Sequence, residues 1–92
     1  MTEVLGNIRT LIEKGDTEQA INELRAYIEA HPETDDRPFY LLGNAYRKHG
    51  DWQMALNNYL EAIERNPESP AVHARTMVMD ILNFYNKDMF NQ

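Results

Sequence analysis

The side chains best suited to chemistry near neutral pH are three histidines, His31, His49 and His73. They lie far apart in the sequence and share no metal-ligand spacing. His31 and His49 each follow a long apolar-periodic stretch. Both therefore read as helix C-terminal residues that serve the last carbonyls. The 15 carboxylates are spread along polar faces, as solvated charges are, rather than gathered as an acid–base pair. The chain has no cysteine, so neither a disulfide framework nor a thiolate metal site can form. It also has no phosphate-cradling glycine loop, no GxGxxG and no nucleophile elbow. No catalytic residue, cofactor or metal is expected, and the chain reads as a non-enzyme.

Charge narrows the choice of partner. Nine basic and 15 acidic side chains leave a net charge of −6 over 92 residues. Phosphate backbones need local and usually net positive charge, so nucleic acid is not expected as the main ligand. The N-terminal stretch MTEVLGNIRTLIEKG carries acids at once and has no apolar core of the signal-peptide kind. Apolar runs are only a few residues long, far below a membrane span, so a cytoplasmic address is expected. A chain of this length buries about 60–65 % of its unfolded surface, which makes one thin-cored domain the expectation.

Any binding residues must be positioned by helices. Residues 15–21 read GDTEQAI and residues 50–56 read GDWQMAL, a near-repeat 35 positions apart. Gly15 and Gly50 follow Lys14 and His49, so each suits a left-handed helix end with a cation before it. Asp16 and Asp51 suit the N-cap of the next helix, and Gln19 stands at capping-box distance from Asp16. Pro32 and Pro67 stop the helices that follow. Five helices are expected, over 3–14, 17–30, 36–48, 52–65 and 70–85, each with apolar residues three and four apart. Ser69 is the expected cap of the fifth, with Pro70 in its first position.

Within 36–69 stand Phe39, Leu42, Gly43 and Tyr46, then Ala55, Tyr59, Ala62 and Pro67. At this spacing the segment resembles a tetratricopeptide repeat, and the chain a small protein of that family. Gly43, Ala55 and Ala62 leave room for two antiparallel helices to approach; Phe39, Tyr46 and Tyr59 fill what remains. The first unit fits less well: Ile8 stands where the second has Gly43, and Tyr27 where it has Ala62. A wider or shifted helix contact is expected there. Carried forward by 35, the pattern Phe39, Leu42, Gly43, Tyr46 falls on Ala74, Met77, Val78 and Ile81, all apolar. A step of 34 falls mostly on polar residues. The resemblance thus implies an all-α, right-handed helix-turn-helix solenoid: repeat one over 1–35, repeat two over 36–69, and a capping helix with tail over 70–92.

The same resemblance implies where a partner would dock. In this family the first helix of each repeat lines a concave groove. The corresponding positions here are Thr2, Leu5, Arg9 and Ile12, then Arg37, Tyr40, Asn44 and Arg47, then Val72, Arg75, Met79 and Leu82. The face carries four arginines and no acid. Arginine grips carboxylates bidentately, so an acidic or C-terminal peptide is the expected occupant, held by Arg9, Arg37, Tyr40, Asn44, Arg47 and Arg75. The alternative is that these arginines pair with neighbouring glutamates. Only Asn44 matches outright the basic and asparagine clamp by which some members hold chaperone tails, so chaperone binding is not inferred. The fifth helix is apolar around much of its circumference. Three readings stand: the tail NKDMFNQ folds back over it, Met79, Leu82, Phe84 and Tyr85 form a homodimer or partner surface, or the tail is disordered.

Overall fold

The computed structural model describes residues 2–90, and the side chains of residues 3–84. Five helices follow one another: α1 (Thr2–Lys14), α2 (Thr17–Ala30), α3 (Arg37–His49), α4 (Trp52–Arg65) and α5 (Ala71–Phe90). No strand occurs among the described residues. α1 pairs with α2 and α3 with α4; α3 packs on α2, and α5 packs on α4. The core runs along these contacts from Ile8 and Leu24 through Tyr59 to Val78, all fully buried. Burying each such side chain contributes about 1.5–3 kcal/mol.

The near-repeat of sequence is a repeat of hydrogen bonding. Gly15 and Gly50 have φ of 90° and 93°, a region that glycine enters without a Cβ penalty. In the first turn Gly15 N–H donates to Ile12 O at 3.0 Å and Asp16 N–H to Leu11 O at 2.8 Å. In the second, Gly50 N–H donates to Arg47 O at 3.0 Å and Asp51 N–H to Tyr46 O at 2.9 Å. Both are Schellman closures, which satisfy the orphan carbonyls of the helix end. The helix starts differ. Asp51 Oδ1 accepts from Met54 N–H at 3.1 Å, whereas the Asp16 side chain makes no cap bond. The expected capping box is also absent, since Gln19 bonds Glu23 instead, at 2.8 Å.

The two turns are joined to each other. Lys48 Nζ donates to the Glu13 carbonyl at 3.0 Å, and Thr17 Oγ1 shares a hydrogen bond with His49 Nδ1 at 3.0 Å. His49 is therefore a link between turns rather than a cap. His31 does act as a helix end: its Nδ1–H donates to Tyr27 O at 2.9 Å and its ring stacks on Tyr27. At the opposite end of the helices, Arg65 Nη1 donates to the carbonyls of Pro32 at 3.1 Å and Thr34 at 2.9 Å. The same guanidinium pairs with Glu61 and lies 4.4 Å from the Phe39 ring centroid, so it ties the α2–α3 loop to α4.

The pairings differ in tightness for a steric reason. Gly43 lies directly against the Tyr59 ring, so α3 and α4 approach closely over most of their length. In the first pair Ile8 occupies the Gly43 position and Leu24 the Tyr59 position, both buried. A larger residue on α1 is matched by a smaller one on α2, and the two helices approach over fewer residues.

α5 begins as the sequence implies. Ser69 Oγ accepts from Ala71 N–H at 3.1 Å, and Ala74 N–H donates to Pro70 O at 3.3 Å. Of the residues in register with α3, Val78 is buried and Ala74 and Ile81 are half-buried, but Met77 is 41 % exposed where Leu42 is buried. Leu42 faces Met54 and Asn58 of α4, and α5 is the last described helix. The fold-back of the tail does not occur over the described residues: α5 continues as helix to Phe90.

Candidate functional site

An open cleft of about 460 Å³ separates the second half of α1 from α3. α1 contributes Arg9, Ile12 and Glu13; α3 contributes Tyr40, Leu41, Asn44, Arg47 and Lys48. The helical period explains the set. Arg9 and Glu13 are four apart, as are Tyr40 and Asn44, so each pair stacks on one face. Arg47 and Lys48 are brought in by the last turn of α3, which the Schellman closure at Gly50 holds in place. Three cations thus stand with one carboxylate in a protein of net charge −6.

The floor of the cleft is polar and connected to the core. Tyr59, fully buried on α4, donates its hydroxyl proton to Asn44 Oδ1 at 2.5 Å. Its ring lies 6.1 Å from that of Tyr40, centroid to centroid. Burial pushes the Tyr59 phenol above its ordinary value of 10.0, while the nearby positive charge of Arg47 pulls the other way. Arg47 Nε is buried and makes no hydrogen bond among the described residues. A buried donor without an acceptor costs about 1–3 kcal/mol.

Of the residues expected in the groove, the structure brings Arg9, Tyr40, Asn44 and Arg47 together. Arg37 lies outside the cleft, exposed at the start of α3, where its Nε pairs with Asp35 at 2.9 Å. Arg75 is half-buried on α5, also outside the cleft, with its Nε buried and unbonded among the described residues. The expectation of a face free of acids is corrected by Glu13, which lines the cleft beside Arg9. Glu13 and Lys48 were missed by sequence reasoning, although a signal existed: they are 35 apart, one position beyond Ile12 and Arg47. Met79 is 44 % and Phe84 75 % exposed, Leu82 is half-buried against the core, and the Tyr85 side chain lies outside those described.

A second cleft, of about 700 Å³, is lined by Tyr27, Ala30, His31, Pro32, Glu33 and Thr34. It holds neither Lys nor Arg, so it lacks the charge contrast of the first. Among the described residues no group of three or more His, Asp or Glu could hold a metal ion. No helix among them is long and apolar enough to cross a membrane.

Comparison with known proteins joins this geometry to a family. Two family models, each described as tetratricopeptide repeat, match residues 37–69 and residues 9–34. The solution NMR structure of Bacteroides fragilis protein BF1650 is similar over 96 % of this chain and 89 % of that chain, at 60 % identity and a TM-score of 0.84. The chain belongs to the tetratricopeptide repeat family. No curated protein matches it. The signature residues of its second tetratricopeptide repeat occupy the places their chemistry requires: Phe39, Leu42, Gly43, Tyr46, Ala55, Tyr59 and Ala62 are buried, and Pro67 stands exposed in the loop after α4. Tetratricopeptide repeats generally mediate binding to other proteins or peptides and are non-catalytic modules.

Proposed function

We propose that this tetratricopeptide repeat chain is a non-catalytic, cytoplasmic interaction module whose α1–α3 cleft takes an acidic segment of another protein. Arg9, Arg47 and Lys48 attract the segment, Tyr40 and Asn44 contact it, and Arg37 and Arg75 act from outside the cleft. The observation that carries this reading is the charge contrast: three cations around one carboxylate, in a chain with 15 acids. Among the described residues Arg9 and Arg47 make no ion pair, although Arg37 and Arg65 do. The test is a titration of acidic against basic peptides of equal length. Acidic peptides should bind more tightly, and the difference should shrink as salt rises from about 50 to 200 mM. Equal binding of both would remove the electrostatic reading.

A second reading is self-association through α5. Met77, Ile81 and Phe84 fall at i, i+4 and i+7 on one face, and Ile81 and Phe84 border Trp52 of α4 in a cleft that Asp80 also lines. Sedimentation equilibrium across a wide concentration range separates the readings, because a strict monomer rules out the dimer and leaves the cleft untouched.

A further inference from the structure

Under the cleft the Tyr59 hydroxyl donates to Asn44 Oδ1 at 2.5 Å. The neighbouring Arg47 offers donors only, which favours this direction for the Tyr59 proton. With Oδ1 held by Tyr59, the Asn44 group left for the cleft is Nδ2, which no described residue engages. Gly43 makes the arrangement possible, because the Tyr59 ring lies against its backbone and so reaches the neighbouring Asn44.

We infer that Tyr59 is a positioning residue for ligand selection: by holding Asn44 Oδ1 from behind, it turns the Asn44 amide into a pure donor and suits the cleft to a carboxylate of the partner. The inference rests on the acidic-segment reading above and goes beyond it, since charge alone would not distinguish one orientation of Asn44 from the other. With Asn44 Nδ2, Arg9, Arg47 and Lys48 all donating, the inner cleft discriminates between an acceptor-only group and an amide of the same shape. A glutamate side chain fits; a glutamine must place its own N–H2 against donors. An unpaired polar group at such a site is costly, which is the physical origin of the selectivity.

The experiment uses the whole chain and two probes, amidated hexaglutamate and amidated hexaglutamine, titrated calorimetrically at low salt. Five forms are compared: the natural sequence, Tyr59→Phe, Asn44→Ala, the double variant and Asn44→Asp. Thermal melts are recorded alongside. Phe keeps the ring that packs on Gly43, so Tyr59→Phe should remain folded. The natural sequence should favour hexaglutamate. Tyr59→Phe should weaken hexaglutamate about tenfold, leave hexaglutamine unchanged, and cause no further loss once Asn44 is Ala. Asn44→Asp, which keeps an acceptor for Tyr59 but replaces the donor with a carboxylate oxygen, should weaken hexaglutamate more than Asn44→Ala does. Preference retained in Tyr59→Phe, an equal loss in the Asn44→Ala background, or equal binding by the Asp and Ala variants overturns the role of Tyr59 while the acidic-segment reading stands. A natural sequence that binds both probes equally ends that reading, and this inference with it.

Discussion

Gly43 and Tyr59 show how much one missing carbon decides. A Cβ on Gly43 would sit inside the contact distance of the Tyr59 ring, and that ring is fully buried with nowhere to retreat. Gly43→Ala should therefore destabilise the protein by about 1–3 kcal/mol, the range for an overpacked core. In a thermal melt this is about 4–8 °C per kcal/mol for a domain of this size. A melt unchanged by the substitution would mean that α3 and α4 can separate without cost. Tyr59 makes a second prediction through its proton. Its pKa is raised in the folded state, so above about pH 10 the folded protein holds a proton that the unfolded chain has lost. The contribution to stability is fully present below pH 10 and declines as pH rises through the folded value, with a slope of at most about 1.4 kcal/mol per pH unit. Urea unfolding between pH 9 and 12 should show this decline, and Tyr59→Phe should flatten it. An identical decline in the variant would assign the effect to other groups.

Among the elements, the two turns at Gly15 and Gly50 are equivalent in backbone and unequal in side chain. Asp51 caps α4 through Met54 N–H, and Asp16 makes no such bond to α2. Asp51→Ala should cost about 1 kcal/mol in urea unfolding, and Asp16→Ala clearly less. Equal losses would show that Asp16 finds its cap in solution. The contrast also marks where the sequence stops being informative. Glycine at 15 and 50, proline at 32 and 67, and the apolar stripes define the five helices, because each acts through its own backbone or through a fixed helical period. The 35-residue spacing likewise predicts that Val78 is buried. The links between turns were not legible. Glu13 and Lys48, Thr17 and His49, and Arg65 with the α2–α3 loop are held by side chains that cross between helices, and their reach depends on how the helices stack. Periodicity gives the face on which a residue lies. It does not give the rotamer, so Arg37 could share a helix with Arg47 and yet turn to Asp35. Met77 is a different case. Its position repeats that of Leu42, but burial needs an α4-like helix opposite, and none is described after α5.

At the scale of the molecule, the proposed acidic-segment reading turns on how charge is distributed. A solubilising surface would pair its arginines with the surplus of acids, as Arg65 pairs with Glu61. The α1–α3 cleft instead collects three cations with Glu13 as the single opposing charge. On the proposed reading Glu13 works against an acidic ligand, and its neutralisation should strengthen binding. Glu13→Gln should raise hexaglutamate affinity by about 0.5–1 kcal/mol, or about two- to fivefold, the scale of an exposed charge interaction. Arg47→Glu should lower it by more, because Arg47 lies at the cleft floor with a buried, unbonded Nε. Arg37→Glu should lower it least, because that side chain stands outside the cleft beside Asp35. These effects should also separate with salt. The Debye length falls from about 10 Å at 0.1 M to about 3 Å at 1 M, so the Arg37 effect should vanish first and part of the Arg47 effect persist. Calorimetric titrations of the three variants at low and high salt read this order directly. If Arg37→Glu and Arg47→Glu weaken binding equally and lose their effects together, the ligand senses net charge alone, and the cleft has no part in holding it.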